Sequence, residues 1–248
     1  MVICGMIRQR LIPFLMLIFS ILPSSCEQLQ ELGLTNDEIV GGLKEALNLG
    51  AQSAGARLGV TDGFLGDQAV KILLPANAKT MIEKAYAIPG AEIILKPYLE
   101  SVVEKMNRGA EKAASKAAPI FANAITSMSF SDAMNILKGD DTAATGYLRT
   151  TTYNPLKTEF APEITAAMDE VGAASAWNSL FTEYNSYVNP ITQATLGLET
   201  VNPNLGEYAT EKALNGLFLK VADEEKLIRT DPVKRTTDLL KKVFKEQD

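Results

Sequence analysis

Ala213-Leu214-Asn215-Gly216-Leu217-Phe218-Leu219-Lys220-Val221-Ala222-Asp223-Glu224-Glu225-Lys226-Leu227-Ile228-Arg229-Thr230-Asp231-Pro232 is the stretch whose reading decides the fold. Leu214, Leu217/Phe218, Val221 and Ile228 recur at the spacing of one helix face, so the pattern predicts a helix over 207–228. Asp231 caps a second helix over 232–244, with Pro232 as its first helical residue. That helix carries the stripe Val233, Thr236/Thr237, Leu240 and Val243/Phe244. Glu224 and Glu225 stand where the first stripe should continue, and Arg229 follows Glu225 by four residues, the favourable order for a pair. A carboxylate on a core stripe is costly unless paired. The spacing therefore predicts an ion-pair and hydroxyl cluster of Glu224 or Glu225 with Arg229, Arg235 and Thr236. Its first reading is a clamp that fixes the helical hairpin. The rivals are a solvated face and an anion pocket served by the free N–H groups at Pro232.

The rest of the chain reads as helix as well. Thr35-Asn36-Asp37-Glu38 is a capping-box pattern and opens a helix to about Leu58. Val70 to Leu74 is a short apolar stretch that reads as extended, and Pro75 starts a helix to about Ala87. A helical region over 92–126 is interrupted or kinked near Pro97 and Pro119. Ser129 starts a short helix ended by Gly139, and another follows over 143–152. Asn154-Pro155 reads as a break, then a long helical region covers 156–187. Residues 188–205, with Pro190, Gly197 and Pro203, read as a linker. The fold class is all-α, a single irregular multi-helix bundle.

Weaker candidate positions have mainly structural readings. Asp140, in Gly139-Asp140-Asp141-Thr142, is a turn and helix-cap residue without the oxygen-rich spacing of a calcium loop. Arg149 satisfies the end of its helix, or else binds an anion. Glu163, Asp169 and Glu170 read as a solvated face. Trp177, Phe181 and Tyr184 stand at core spacing, with a ligand-cavity lining as the alternative.

The 248-residue chain contains no His. Ser-His-Asp and Cys-His catalysis, His-ligated zinc and the usual neutral general base are therefore excluded. The N-terminus carries Arg8, Arg10, an apolar run over 11–22 and Pro23-Ser24-Ser25-Cys26. That pattern predicts a cleaved lipoprotein leader over 1–25, with Cys26 as the acylated first mature residue, carrying palmitate-type chains. Pro23 stands where a lipoprotein box has Leu, Ile or Val. The alternatives are ordinary cleavage near Ser25 or Cys26, releasing a soluble secreted protein, and an uncleaved anchor. Residues 26–34 read as a tether and 35–248 as the helical domain. Without the leader and its two Arg, 22 basic and 30 acidic residues leave a charge of −8. That balance argues against nucleic acid and against a polybasic membrane face. Cys4 leaves with the leader, so the mature chain has one Cys and no internal disulfide.

Four blocks stand in order: Asn107-Arg108-Gly109-Ala110-Glu111-Lys112-Ala113, Asp132-Ala133-Met134-Asn135-Ile136-Leu137-Lys138-Gly139, Ala143-Ala144-Thr145-Gly146-Tyr147-Leu148-Arg149 and Ala213-Leu214-Asn215-Gly216-Leu217-Phe218. Glu224-Glu225-Lys226-Leu227-Ile228-Arg229 and Leu239-Leu240-Lys241-Lys242-Val243-Phe244 follow. Together, over about residues 35–246, they resemble the bacterial family of uncharacterised envelope proteins called DUF4197. The resemblance implies a helical domain behind a secretion or lipoprotein signal. It implies no activity and no catalytic residue.

The functional expectation is a non-enzymatic lipoprotein of the bacterial envelope, facing the periplasm and needing no cofactor or metal. It is held to the membrane, the outer one favoured because Glu27 rather than Asp follows Cys26, and binds a partner protein or a small apolar or anionic ligand. The alternatives are a carboxylate- or metal-dependent enzyme working through Glu224/Glu225 or Asp140/Asp141, and a purely structural envelope component.

Overall fold

The structure is a computed structural model that describes residues 35–86, 89–186 and 188–245. The predicted leader over 1–25, Cys26 and the predicted tether over 26–34 lie outside the described residues. Among the described residues, ten α-helices follow one another: α1 (Asn36–Leu58), α2 (Ala76–Tyr86), α3 (Ala91–Ala114), α4 (Ala117–Thr126), α5 (Phe130–Lys138), α6 (Ala143–Asp169), α7 (Ala173–Ser186), α8 (Pro190–Leu196), α9 (Leu205–Thr230) and α10 (Asp238–Val243). A single 3-10 turn, Pro232–Lys234, separates α9 from α10, and there is no strand among the described residues. The fold is all-α. None of the described helices is long and apolar enough to cross a membrane.

The core forms around α6, whose buried residues Ala144, Leu148, Thr152, Leu156, Phe160, Ile164 and Met168 recur every fourth position. That row packs against α3 on one side and α9 on the other, while α1 closes the far face of α9. The approach of α3 to α6 is set by Gly109. A Cβ there would lie 2.7 Å from Ile164 Cα, so only glycine lets the two backbones come this close. Lys112 and Lys116 reach across to Glu163, and Lys105 to Glu170, along the same seam. Glu163 and Glu170 are thus inter-helix pairs rather than a purely solvated face.

Two predicted breaks and one predicted helix read differently in the structure. α6 runs unbroken through Pro155 and Pro162. Both prolines lie on its exposed side, so the carbonyls they leave without a donor, on Thr151 and Thr158, come from exposed residues four positions earlier. The buried row continues past both, and packing outweighs the lost bonds. Within the predicted linker 188–205, Asn189 forms a capping box with Thr192, Pro190 begins the short helix α8, and Gly197 ends it at φ 62°. Conversely, residues 232–244 are not one helix. Asp231 accepts from Val233 N and caps only the 3-10 turn, Arg235 leaves helical geometry at φ −83°, ψ 82°, and Thr237 caps α10 afresh.

The connection between α1 and α2, residues 59–75, is irregular but pinned. The Asn107 side chain acts as a peptide group in trans: its Oδ1 accepts from Ile72 N and its Nδ2 donates to Ile72 O, both at 2.8 Å. The predicted extended stretch 70–74 therefore has a partner, a side chain instead of a strand. Glu111 Oε1 accepts from Phe64 N and Leu65 N, and its Oε2 accepts from Arg108, which also reaches Asp62. Lys220 of α9, nearly buried, pairs with Asp67 at 2.7 Å. That hydrogen bond holds the Asp67 carboxyl below its ordinary value. Asn185 repeats the device on the α8–α9 connection, pairing with both Val201 N and Val201 O.

Candidate functional site

The predicted cluster divides into three parts. Glu225 and Arg229 form a buried pair, 7% and 5% exposed, with Arg229 Nε at 3.1 Å and its terminal nitrogen at 3.0 Å from the same Oε1. The hydroxyl beside them belongs to Thr145, not Thr236. Glu225 accepts from Ala144 N at 2.9 Å, and from Thr145 N and Thr145 Oγ1, both at 2.8 Å. These are the first-turn donors of α6, whose own N-cap residue, Thr142, makes no side-chain cap. Arg229 also donates to Ile136 O, in the last turn of α5. The anion therefore sits at a helix start and the cation at a helix end, as the helix dipoles favour. The pair staples the α5–α6 turn to α9, rather than the C-terminal segment to α9.

Arg235 is a separate element. It is 2% exposed, donates to the Ile228 and Arg229 carbonyls at the end of α9, and lies 5.9 Å from the Phe244 ring. This residue, rather than Glu225, turns the C-terminal segment back onto the bundle. Glu224 faces α1 and pairs with Arg57 at 2.9 Å. Thr236 is exposed and outside the cluster. The predicted anion pocket at Pro232 has no helix to supply it, because only three residues of 3-10 geometry follow.

Asp140 closes a local turn by accepting from the Thr142 amide and hydroxyl, which hold its carboxyl below the ordinary range. Arg149 is not at a helix end, since α6 continues for five more turns. Its guanidinium donates to Asn215 and lies 5.3 Å and 5.8 Å from the Phe218 and Tyr153 rings. Among the described residues, no group of three or more Asp, Glu or Cys side chains is placed to hold a metal ion.

A different place has the form of a binding site. Three elements at the edge of the bundle, α2, the first half of α3 and α7, enclose a groove open to solvent. Met81 and Ile82, Leu95 and Leu99, and Trp177 and Phe181 line it in pairs from the three helices. The groove holds about 140 Å³ of free space and is almost wholly apolar. Trp177 and Phe181 pack at 4.3 Å between ring centres, and Trp177 Nε1 donates to Asn202 O, so the indole is anchored where it lines the groove. Leu180, 51% exposed, and Tyr98, 38%, form its rim. The aromatic row of α7 was legible as a helix face. Its lining of a cavity stood as the alternative; which residues face it across that space was not legible, because those of α2 and α3 are far away in sequence.

An all-α bundle, with helix ends and loops stapled by buried polar side chains and an apolar groove at its edge, defines the class of protein. The chain belongs to the DUF4197 family, whose model, described as a protein of unknown function, matches residues 33–245. Neither the curated proteins nor the solved structures contain a match to it.

Proposed function

We propose that this protein is a non-enzymatic lipoprotein of the bacterial envelope, anchored through Cys26 and facing the periplasm, that binds a small apolar ligand in the groove between α2, α3 and α7. The groove carries this reading. An apolar concavity lined by aromatic and aliphatic side chains is the usual form of a small-molecule site. Its free space, about 140 Å³, is close to the ~150 Å³ of an apolar cavity that takes up benzene. One ring or a short length of acyl chain fits within it, and its open side leaves room for the remainder of a larger ligand. The partnered carboxylates support a binding role over a chemical one: buried Glu225, half-buried Glu224 and exposed Asp140 hold helices and turns together.

The test is titration with N-phenyl-1-naphthylamine, an uncharged probe that fluoresces in apolar surroundings. Saturable fluorescence at one probe per chain is expected, and Leu180→Asp, at an exposed rim position, abolishes it without unfolding the protein. A linear, unsaturable signal, or equal binding by the variant, contradicts the groove as the site. The anchor is tested separately by mass spectrometry of the mature N-terminus. Acylated Cys26 is expected, and an unmodified terminus at or beyond Cys26 overturns the lipoprotein reading.

A further inference from the structure

The apolar groove has a neighbouring cleft. Met81 lines both the groove and this second cleft of about 350 Å³, which is mixed in polarity, about half polar and half apolar, and bordered by Asn77, Tyr184 and the Gly197-Leu198-Glu199 turn. The rings of α7 join the two spaces. Phe181, in the groove, meets Tyr184, in the cleft, edge to face at 6.0 Å. Asn77 is fixed in place by donating to Thr200 O. Among the described residues lining the cleft, Glu199 is the only charged one, and no Lys or Arg is among them.

We propose that the two spaces form one site for a single-chain amphiphile whose head group carries no negative charge, with the chain along Trp177 and Phe181 and the head beside Tyr184, Asn77 and Glu199. This rests on the groove being a binding site and adds the class of ligand. The chain removes apolar surface from water in the groove. The head stays wet in an open cleft that offers hydrogen-bonding groups to an uncharged polar head and an aromatic face and a carboxylate to a cationic one. A carboxylate or phosphate head meets Glu199 with no cation among the described residues of the cleft to offset it.

The test compares three ligands with the same chain, 1-dodecanoylglycerol, dodecyltrimethylammonium and dodecanoate, each below its micelle concentration at pH 8. Emission of Trp177, the single tryptophan of the chain, reports binding to the whole mature protein. The uncharged and cationic ligands are expected to bind at least about fivefold tighter than dodecanoate at low salt. Glu199→Lys, at an exposed position, is expected to reverse the order of the two charged ligands and leave 1-dodecanoylglycerol unchanged. Dodecanoate binding as tightly as the others overturns the head-group assignment and leaves the groove standing. An order unaltered by Glu199→Lys overturns the placement of the head in the cleft. Binding of none of the three overturns both the ligand class and the groove.

Discussion

Glu225 accepts three hydrogen bonds from the start of α6 and pairs through two nitrogens with Arg229 of its own helix, and its neighbour Glu224 pairs with Arg57 of α1. Removing one partner of a buried pair leaves the other charge in a poorly solvating place. Arg229→Ala is therefore expected to destabilise the fold by about 3–5 kcal/mol in urea denaturation, because Glu225 loses its cation and Ile136 O loses a donor. A loss below about 0.5 kcal/mol would mean the pair behaves as a solvated one. The pairing itself was legible from the spacing of Glu225 and Arg229. Its purpose was not, since Thr145 and Ile136 lie 80 and 93 residues away along the chain. Asn107, Glu111 and Lys220 went unnoticed for the same reason: each serves a loop that spacing on its own helix does not reveal. The faint signal was an Asn and a Glu four apart within an Ala-rich helix, a position where polar groups need a partner.

At the scale of elements, α6 shows how far packing overrides local preference. Pro155 argues for a helix end, yet a buried residue every fourth position carries the helix through. Threonine hydroxyls fold back to the carbonyl four residues earlier at Thr150, Thr151, Thr152 and Thr158, a local bond that helices with irregular ladders tolerate. Pro155→Ala is expected to stabilise the protein by about 1–2 kcal/mol in thermal or urea unfolding, as the helix gains a donor to Thr151 O and loses a steric conflict. Destabilisation of similar size would mean the proline bends α6 into its seat against α3. The reverse error occurred at 232–244, where Asp231-Pro232 has the form of a helix start. There the Arg235 guanidinium, turned onto the end of α9, outweighs continued helix.

For the whole molecule, charge behaves simply because histidine is absent. The carboxyls of Glu38, Asp67, Asp132, Glu163 and Glu170 are held below their ordinary values, Glu163 by hydrogen bonds from Lys112 and Lys116 and Glu38 by the Thr35 cap. Such groups add stability that is fully present above their unfolded values and lost as pH falls through the lower folded values. The melting temperature is expected to stay nearly level from about pH 8 to 5.5 and to fall below about pH 4.5, and calorimetry across that range checks it. A step between pH 6 and 7 would contradict it. The all-α class and most helices were legible as periodicity, while the groove is a property of three helices meeting. Methyl NMR of the mature protein, titrated with 1-dodecanoylglycerol, examines that meeting place directly. Saturable shifts of Met81, Ile82, Leu95 and Leu99, with the core methyls of Leu148 and Ile164 unmoved, are the predicted result; unmoved groove methyls, or shifts centred elsewhere in the bundle, would contradict it.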